Sequence, residues 1–130
     1  MTIEKQDELL EILKKYPTVK LGYLFGSRAR NDVGPLSDYD FAFYLDESDV
    51  QARFETKLKL QNDLSTLYQT DLVDVVILNS TQSPELKYQI IRDGILFFER
   101  EPFVALIEPK ILNEYFDFYS LLRRYGLTKA

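Results

Sequence analysis

Hydrophobic and polar positions along this chain switch repeatedly between the period of a helix and the period of a strand. Apolar residues at helical spacing predict helices over four segments: 3–16, 49–68, 84–93 and 102–126. Short apolar runs between them predict four strands: 19–25, 39–45, 72–78 and 95–99. This alternation predicts an α/β (α+β) domain in which about four strands are flanked by helices.

Polar and proline residues near the predicted helix ends support these boundaries. Ser48 and Gln51 have the spacing of a capping box, which predicts that Ser48 caps the second helix. Ser83 followed by Pro84 is typical of an N-cap and a first helical position. Pro109 lies inside the C-terminal segment, and we expect it to interrupt that helix because proline removes a main-chain hydrogen bond.

The strand at 39–45 has a two-residue period, so its side chains divide between two faces of the sheet. We expect the odd-numbered face to be core and the even-numbered face to lie outside it. The odd-numbered face carries Tyr39, Phe41, Phe43 and Leu45, and the even-numbered face carries Asp38, Asp40, Ala42 and Tyr44. The segment 72–78 is nearly all apolar, which predicts a central strand covered on both faces and interrupted by Asp74.

Length and composition place the chain among folded globular proteins. It has 130 residues, of which 45% are hydrophobic and 28% are charged. This length allows one domain with a substantial core and is short for two. No repeat, low-complexity tract or glycine-serine linker marks a boundary, so we predict a single domain over 1–130.

The negative net charge of the chain limits the classes of partner that we expect it to bind. A net charge of −5 gives no general attraction to nucleic-acid backbones or anionic membranes. The first residues are charged and helical rather than typical of a signal sequence, and no apolar run approaches the roughly 20 residues that span a bilayer. We therefore predict a cytoplasmic protein that binds neither nucleic acid nor membrane directly.

Cysteine and histidine are both absent from the sequence. Their absence excludes disulfides, zinc sites with such ligands, thiol nucleophiles and serine-histidine triads. The available chemistry is that of carboxylates, hydroxyls and basic side chains.

Three aspartates are candidate metal ligands. Asp38 and Asp40 lie two apart at the start of a strand, so their side chains point the same way with Cα atoms roughly 7 Å apart. Asp74 on an adjacent strand would complete an oxygen-only site of the kind that suits magnesium or manganese. Each also has a simpler interpretation: Asp38 as a turn residue, Asp40 as the solvated end of an edge strand, and Asp74 as the partner of Arg92.

The Gly26-Ser27 pair at the end of the first predicted strand is a candidate phosphate site. Main-chain N–H groups and a hydroxyl at such a turn bind anions, and Arg28 or Arg30 would add positive charge. Taken alone, a Gly-Ser pair is more often an ordinary turn.

The complete pattern is Gly26-Ser27, ten residues, then Asp38-x-Asp40, with Asp74 on a later strand. It resembles the polymerase-beta-like nucleotidyltransferase superfamily and, within it, the minimal nucleotidyltransferases (MNT or MntA proteins), antitoxins encoded beside HEPN-domain toxins. The resemblance implies that family's fold, with a small mixed sheet of about four strands flanked by helices. It covers roughly 19–98 as the catalytic core and leaves a C-terminal helical segment at about 102–126.

The resemblance also implies roles for individual residues. Gly26 and Ser27 correspond to the pair that holds the nucleotide phosphates, and Arg28 adjoins them as a further nucleotide-binding candidate. The catalytic metal ligands correspond to Asp38, Asp40 and Asp74. The implied activity is Mg-dependent transfer of AMP from ATP to a tyrosine hydroxyl of a HEPN RNase toxin, with release of pyrophosphate.

The sequence departs from the family pattern at one position. Asn31 stands where many relatives have a glycine, and asparagine is the residue that best replaces glycine in a left-handed turn.

The sequence also leaves other functions open. The alternatives to AMP transfer to a toxin are transfer to a small molecule, a non-catalytic antitoxin that acts by binding, and a metal-dependent nuclease. The aromatic C-terminal segment either covers the sheet or contacts a second chain, a toxin or another copy.

Overall fold

A computed structural model describes residues 3–30, 34 and 38–127 of the chain. Within these residues the helices and strands alternate much as the sequence pattern predicts. The helices are α1 Gln6–Leu13, α2 Val50–Tyr68, α3 Pro84–Asp93 and α4 Phe103–Arg124, and the strands are β1 Val19–Phe25, β2 Tyr39–Leu45, β3 Val73–Ile77 and β4 Ile95–Glu99. A short 3₁₀ turn over Gly26–Arg28 directly follows β1.

The strands form one mixed sheet in the order β3-β2-β1-β4. Strand β1 is antiparallel to both β2 and β4, while β2 and β3 are parallel and are joined by the crossover helix α2. The predicted small mixed sheet is thus confirmed. The predicted central position of the apolar segment 72–78 is wrong, because β3 lies at the edge of the sheet and Asp74 is exposed there. An apolar run indicates a buried strand but does not reveal how many neighbours it has.

Both faces of the sheet are covered by helices. One core contains Phe41 and Phe43 from β2 and is closed by residues of α1 and α2. A second core lies on the opposite face, where α3 and α4 pack, and it includes the fully buried Ala42. The prediction that the even-numbered face of β2 lies outside the core is therefore wrong beyond Asp40, because the C-terminal helices cover that part of the strand.

Several element boundaries were predictable and others were not. Strands β1, β2 and β4 have the predicted limits, and Ser83 caps α3 by accepting a hydrogen bond from the N–H of Leu86. The cap of α2 is Asp49 rather than the predicted Ser48, since the Asp49 carboxylate accepts from the N–H of Ala52. Helix α1 is shorter than predicted because Lys5 has a left-handed conformation with φ of 55°.

Helix α4 passes through Pro109 without the predicted interruption. Ile107 and Ile111, on either side of the proline, are buried against the sheet and hold both halves of the helix in place. Pro109 and Ala105, whose carbonyl loses its intrahelical donor, are both exposed, so water can satisfy that carbonyl. Within the described part of the chain, no helix is long and apolar enough to cross a bilayer.

The proline in α4 gives a first stability prediction. Replacing Pro109 with alanine should stabilise the fold by about 2 kcal/mol, because the helix regains a hydrogen bond and loses a steric conflict, offset in part by a freer unfolded chain. Thermal and urea denaturation would measure the change. An unchanged or lower stability would mean that the proline fits this helix without cost.

Candidate active site

Three of the predicted site residues, Gly26, Asp40 and Asp74, lie at one end of the sheet. Strand β1 ends at Phe25, which pairs with Asp40 at the start of the antiparallel strand β2. On the other side of β2, Asp40 pairs in register with Asp74 of β3. The turn that begins at Gly26 therefore lies beside Asp40, whose register partner on the adjoining strand is Asp74.

Gly26 lies directly against the Asp40 carboxylate. Its φ is +73°, a left-handed conformation that glycine adopts without strain. A Cβ atom at this position would overlap Oδ2 of Asp40. The sequence suggested glycine here so that a phosphate can approach the main chain, and the structure adds a second requirement, because only glycine lets the turn close over the carboxylate.

The surroundings of Asp40 disfavour the ionised form of its carboxyl group. Its partly buried position raises the pKa of its carboxyl above the ordinary value, and the nearby charges of Asp74 and then Asp38 raise it further. Arg30 acts in the opposite direction and lowers the pKa. Negative charge is thus concentrated at this end of the sheet and is only partly compensated, which is the arrangement that a divalent cation stabilises.

The three aspartates have the chemistry of a divalent-cation site, but their side chains are not arranged around one ion in this structure. Asp38 and Asp74 are exposed, while Asp40 is partly buried, and all three provide hard oxygen donors. Among the residues described, no group of three acidic side chains is arranged to hold one metal ion. The strand register nevertheless aligns Asp40 with Asp74, and exposed side chains such as those of Asp38 and Asp74 can change rotamer when a ligand binds.

The nearby arginines take different positions. The Arg28 guanidinium lies over the ring of Tyr39, with its carbon 3.6 Å from the ring centroid. Tyr39 alternates with Asp40 along β2, so this contact is on the opposite face of the sheet from the carboxylates. Arg30 is the arginine whose charge reaches Asp40, which the sequence alone could not distinguish from Arg28.

Two further predictions about this region can be placed. Arg92 forms an ion pair with Asp93 at 2.7 Å. The simpler interpretation of Asp74 had paired Arg92 with the Asp74 carboxylate instead. Asn31, the departure from the family pattern, lies outside the described residues.

The fold is that of a nucleotidyltransferase of the polymerase beta type. The family model described as "Polymerase beta, Nucleotidyltransferase" matches residues 7–103. The chain belongs to this family. Among curated relatives it is 31% identical, over 105 residues, to the protein adenylyltransferase MntA of Aphanizomenon flos-aquae (strain 2012/KM1/D3), a match that covers 75% of this chain and 69% of that protein.

Solved structures show the same fold. A chain in the crystal structure of a toxin-antitoxin complex with AMP-PNP superposes with a TM-score of 0.77 at 25% identity, covering 94% of this chain and 95% of that one. A chain from the complex of the tri-AMPylated Shewanella oneidensis HEPN toxin with its MNT antitoxin gives a TM-score of 0.67 at 24% identity, covering 92% and 91%. This second likeness supports the fold alone.

Proposed function

We propose that this protein is an antitoxin that transfers AMP from ATP to a tyrosine hydroxyl of a cognate HEPN RNase toxin and thereby neutralises it. The observation that carries the proposal is the packing of the Gly26 turn on Asp40, in register with Asp74. The curated relative is a protein adenylyltransferase, and a structural neighbour is a toxin-antitoxin complex that contains an ATP analogue. Family and site together favour enzymatic action over neutralisation by binding alone.

The Gly26-Ser27 turn is the proposed seat of the ATP phosphates. It follows β1 as a short 3₁₀ turn, where main-chain N–H groups and the Ser27 hydroxyl are available to donate to phosphate oxygens. The charge of Arg30, which already reaches Asp40, would add to the attraction. Because the surrounding carboxylates repel a triphosphate, binding at this turn requires a cation between the two.

We infer that this cation is magnesium or manganese, held by Asp38, Asp40 and Asp74. An all-oxygen donor set with an excess of negative charge is the set that these hard ions prefer. When bound, such an ion would neutralise charge on the α-phosphate and on the leaving pyrophosphate. The protein's own contribution is to fix Asp40 between the turn and β3 and to leave Asp38 and Asp74 free to rotate toward the ligand.

The exposed position of Asp74 suggests how the acceptor enters. Strand β3 is at the edge of the sheet, so a tyrosine presented by a partner protein can approach Asp74 from solvent. A carboxylate within reach of the attacking hydroxyl can accept its proton. We assign Asp74 both to the metal set and to activation of the acceptor.

The direct test is a transfer assay with the cognate HEPN protein. The purified chain would be incubated with that protein, magnesium and ATP labelled in the α-phosphate, and the products separated and mapped by mass spectrometry. Label on a tyrosine of the HEPN protein, with loss of its RNase activity, is the expected result. Neutralisation without any label would favour a binding antitoxin, and label only on an added small molecule would move the acceptor to that class.

Asp74 has a specific expected phenotype. Asp74→Asn should slow transfer at least about tenfold while changing ATP affinity by no more than about twofold, because the substitution removes proton acceptance and keeps most of the shape. Single-turnover kinetics and equilibrium nucleotide binding measure the two quantities. Asp71→Asn, the same chemical change at an exposed aspartate just outside β3, is the control and should behave as the parent protein. Parental transfer by Asp74→Asn would assign Asp74 to structure.

A further inference from the structure

Arg28 is the last residue of the 3₁₀ turn that carries Gly26 and Ser27, yet its guanidinium points away from the carboxylates. The guanidinium carbon lies 3.6 Å from the centroid of the Tyr39 ring, close enough for stacking as well as for cation-π attraction. The next residue, Ala29, packs against the same hydrophobic core as Tyr39. After the turn, the chain therefore passes over the end of the sheet to the face opposite Asp40.

Tyr39 is itself held firmly by other elements. Its ring stacks on Tyr68 at the end of α2, with centroids 4.3 Å apart. Its hydroxyl donates to the carboxylate of Glu4 at 2.9 Å, and the Tyr68 hydroxyl donates to the main-chain carbonyl of Glu4 at 2.7 Å. Tyr39 is thus a fixed surface against which Arg28 can rest.

The contact joins the two halves of the site. Arg28 is adjacent to Ser27 on the phosphate turn, and Tyr39 stands between Asp38 and Asp40. These two segments are separated by ten residues in sequence. Two contacts hold the phosphate turn near the carboxylates. Arg28 stacks on Tyr39 on one face of the sheet, and Gly26 packs on Asp40 on the opposite face.

We propose that Arg28 is a positioning residue that acts through Tyr39, rather than a ligand of the nucleotide phosphates. The inference rests on the proposed nucleotidyl transfer for its kinetic consequences. Its structural content is independent, because it concerns how the turn is held when no nucleotide is bound.

The chemistry of the side chain separates this role from phosphate binding. A lysine at position 28 keeps the positive charge and can bind a phosphate, but its ammonium is not planar and cannot stack as a guanidinium does. A phosphate ligand should therefore tolerate Arg28→Lys better than the uncharged Arg28→Gln. A stacking residue should lose function in both.

Four variants test the proposal: Arg28→Lys, Arg28→Gln, Tyr39→Phe and Tyr39→Leu. We expect both Arg28 variants and Tyr39→Leu to lower kcat for AMP transfer about tenfold, with KM for ATP within about twofold of the parent. Tyr39→Phe keeps the ring, so its kcat should stay within about threefold of the parent. Combining Arg28→Lys with Tyr39→Leu should cost no more than the larger single effect, because both remove the same contact.

A second readout does not depend on catalysis. The main-chain N–H groups of Ala29 and Arg30 bond to the carbonyl of Gly26, and their exchange with deuterium reports how well the turn is held. Without nucleotide or metal, exchange should quicken at least about fivefold in Arg28→Lys and Tyr39→Leu and remain parental in Tyr39→Phe. Thermal melting of each variant verifies that the fold is intact, and Arg28→Lys serves where Tyr39→Leu is too unstable.

Each outcome bears on the inference. Parental kcat and parental exchange in Arg28→Lys would overturn it, as would a large rise in KM confined to Arg28→Gln, which would make Arg28 a phosphate ligand. If the parent protein transfers no AMP, the proposed function fails on that result alone, and the exchange experiment still decides whether Arg28 holds the turn.

Discussion

AMP transfer should fall at least about 1,000-fold when Asp40 is replaced by asparagine, while the folded protein becomes no less stable. Asp40 is the carboxylate on which the phosphate turn rests and the member of the acidic set that pairs in register with Asp74. Asparagine keeps the shape of the side chain and removes the charge needed to hold a cation. Alanine at Asp38 and Asp40 together should likewise abolish magnesium-dependent transfer and leave the fold intact.

The stability part of this prediction follows from the sign of the pKa shift. Burial, Asp74 and Asp38 raise the pKa of Asp40 in the folded state, so its ionised form is less favourable there than in the unfolded chain. Stability therefore declines as pH rises through the unfolded value toward the folded one, and near neutral pH the ionised carboxylate opposes folding. Removing the charge removes this opposition, so the melting temperature of the metal-free variant should equal or exceed that of the parent.

A matched control lies at the other end of the same strand. Asp46 is an exposed aspartate just past the end of β2, and Asp46→Asn should leave both transfer and melting temperature near parental values. Loss of transfer in Asp40→Asn together with a fall in melting temperature would show that Asp40 supports the fold. Retained transfer would remove it from the reaction.

The sequence was informative about several features that depend on near neighbours in the chain. The alternation in β2 located its two faces, and the Gly26-Ser27 pair and the Asp38-x-Asp40 spacing located the candidate site. Such features are local, because a strand has a period of two and a turn needs glycine at a left-handed position.

Features that depend on packing between distant segments were not predictable in the same way. The edge position of β3 follows from the crossover of α2, and the burial of Ala42 follows from α3 and α4 covering that face. The contact of Arg28 with Tyr39 belongs to the same class, since the spacing gave no reason to separate Arg28 from Arg30. In this protein the neighbouring positions of Asp40 and Asp74 could be predicted from sequence, and the contacts around them could not.

Gly26 has a role that was predictable from the sequence, at the turn, and a contact that only the structure shows, with Asp40. Its replacement has the second large expected effect. Gly26→Ala should lower AMP transfer at least about 100-fold, because the added Cβ overlaps the Asp40 carboxylate and must displace either that carboxylate or the turn. A displacement of about 1 Å between reacting groups is enough to cost about this factor. The left-handed conformation, with φ of +73°, adds about 1 kcal/mol of strain for alanine.

A second glycine separates the overlap from the strain. Gly126 has a similar φ of +67°, but nothing lies within 4 Å of the position its Cβ would take. Gly126→Ala therefore carries the same conformational cost without any overlap, and it should lower stability by about 1 kcal/mol and leave transfer unchanged. Kinetic assays and thermal melts of the two variants give the comparison. If Gly26→Ala loses no more transfer than Gly126→Ala, the turn does not need to close on Asp40, and the phosphate seat and the acidic set act as separate features rather than as one site.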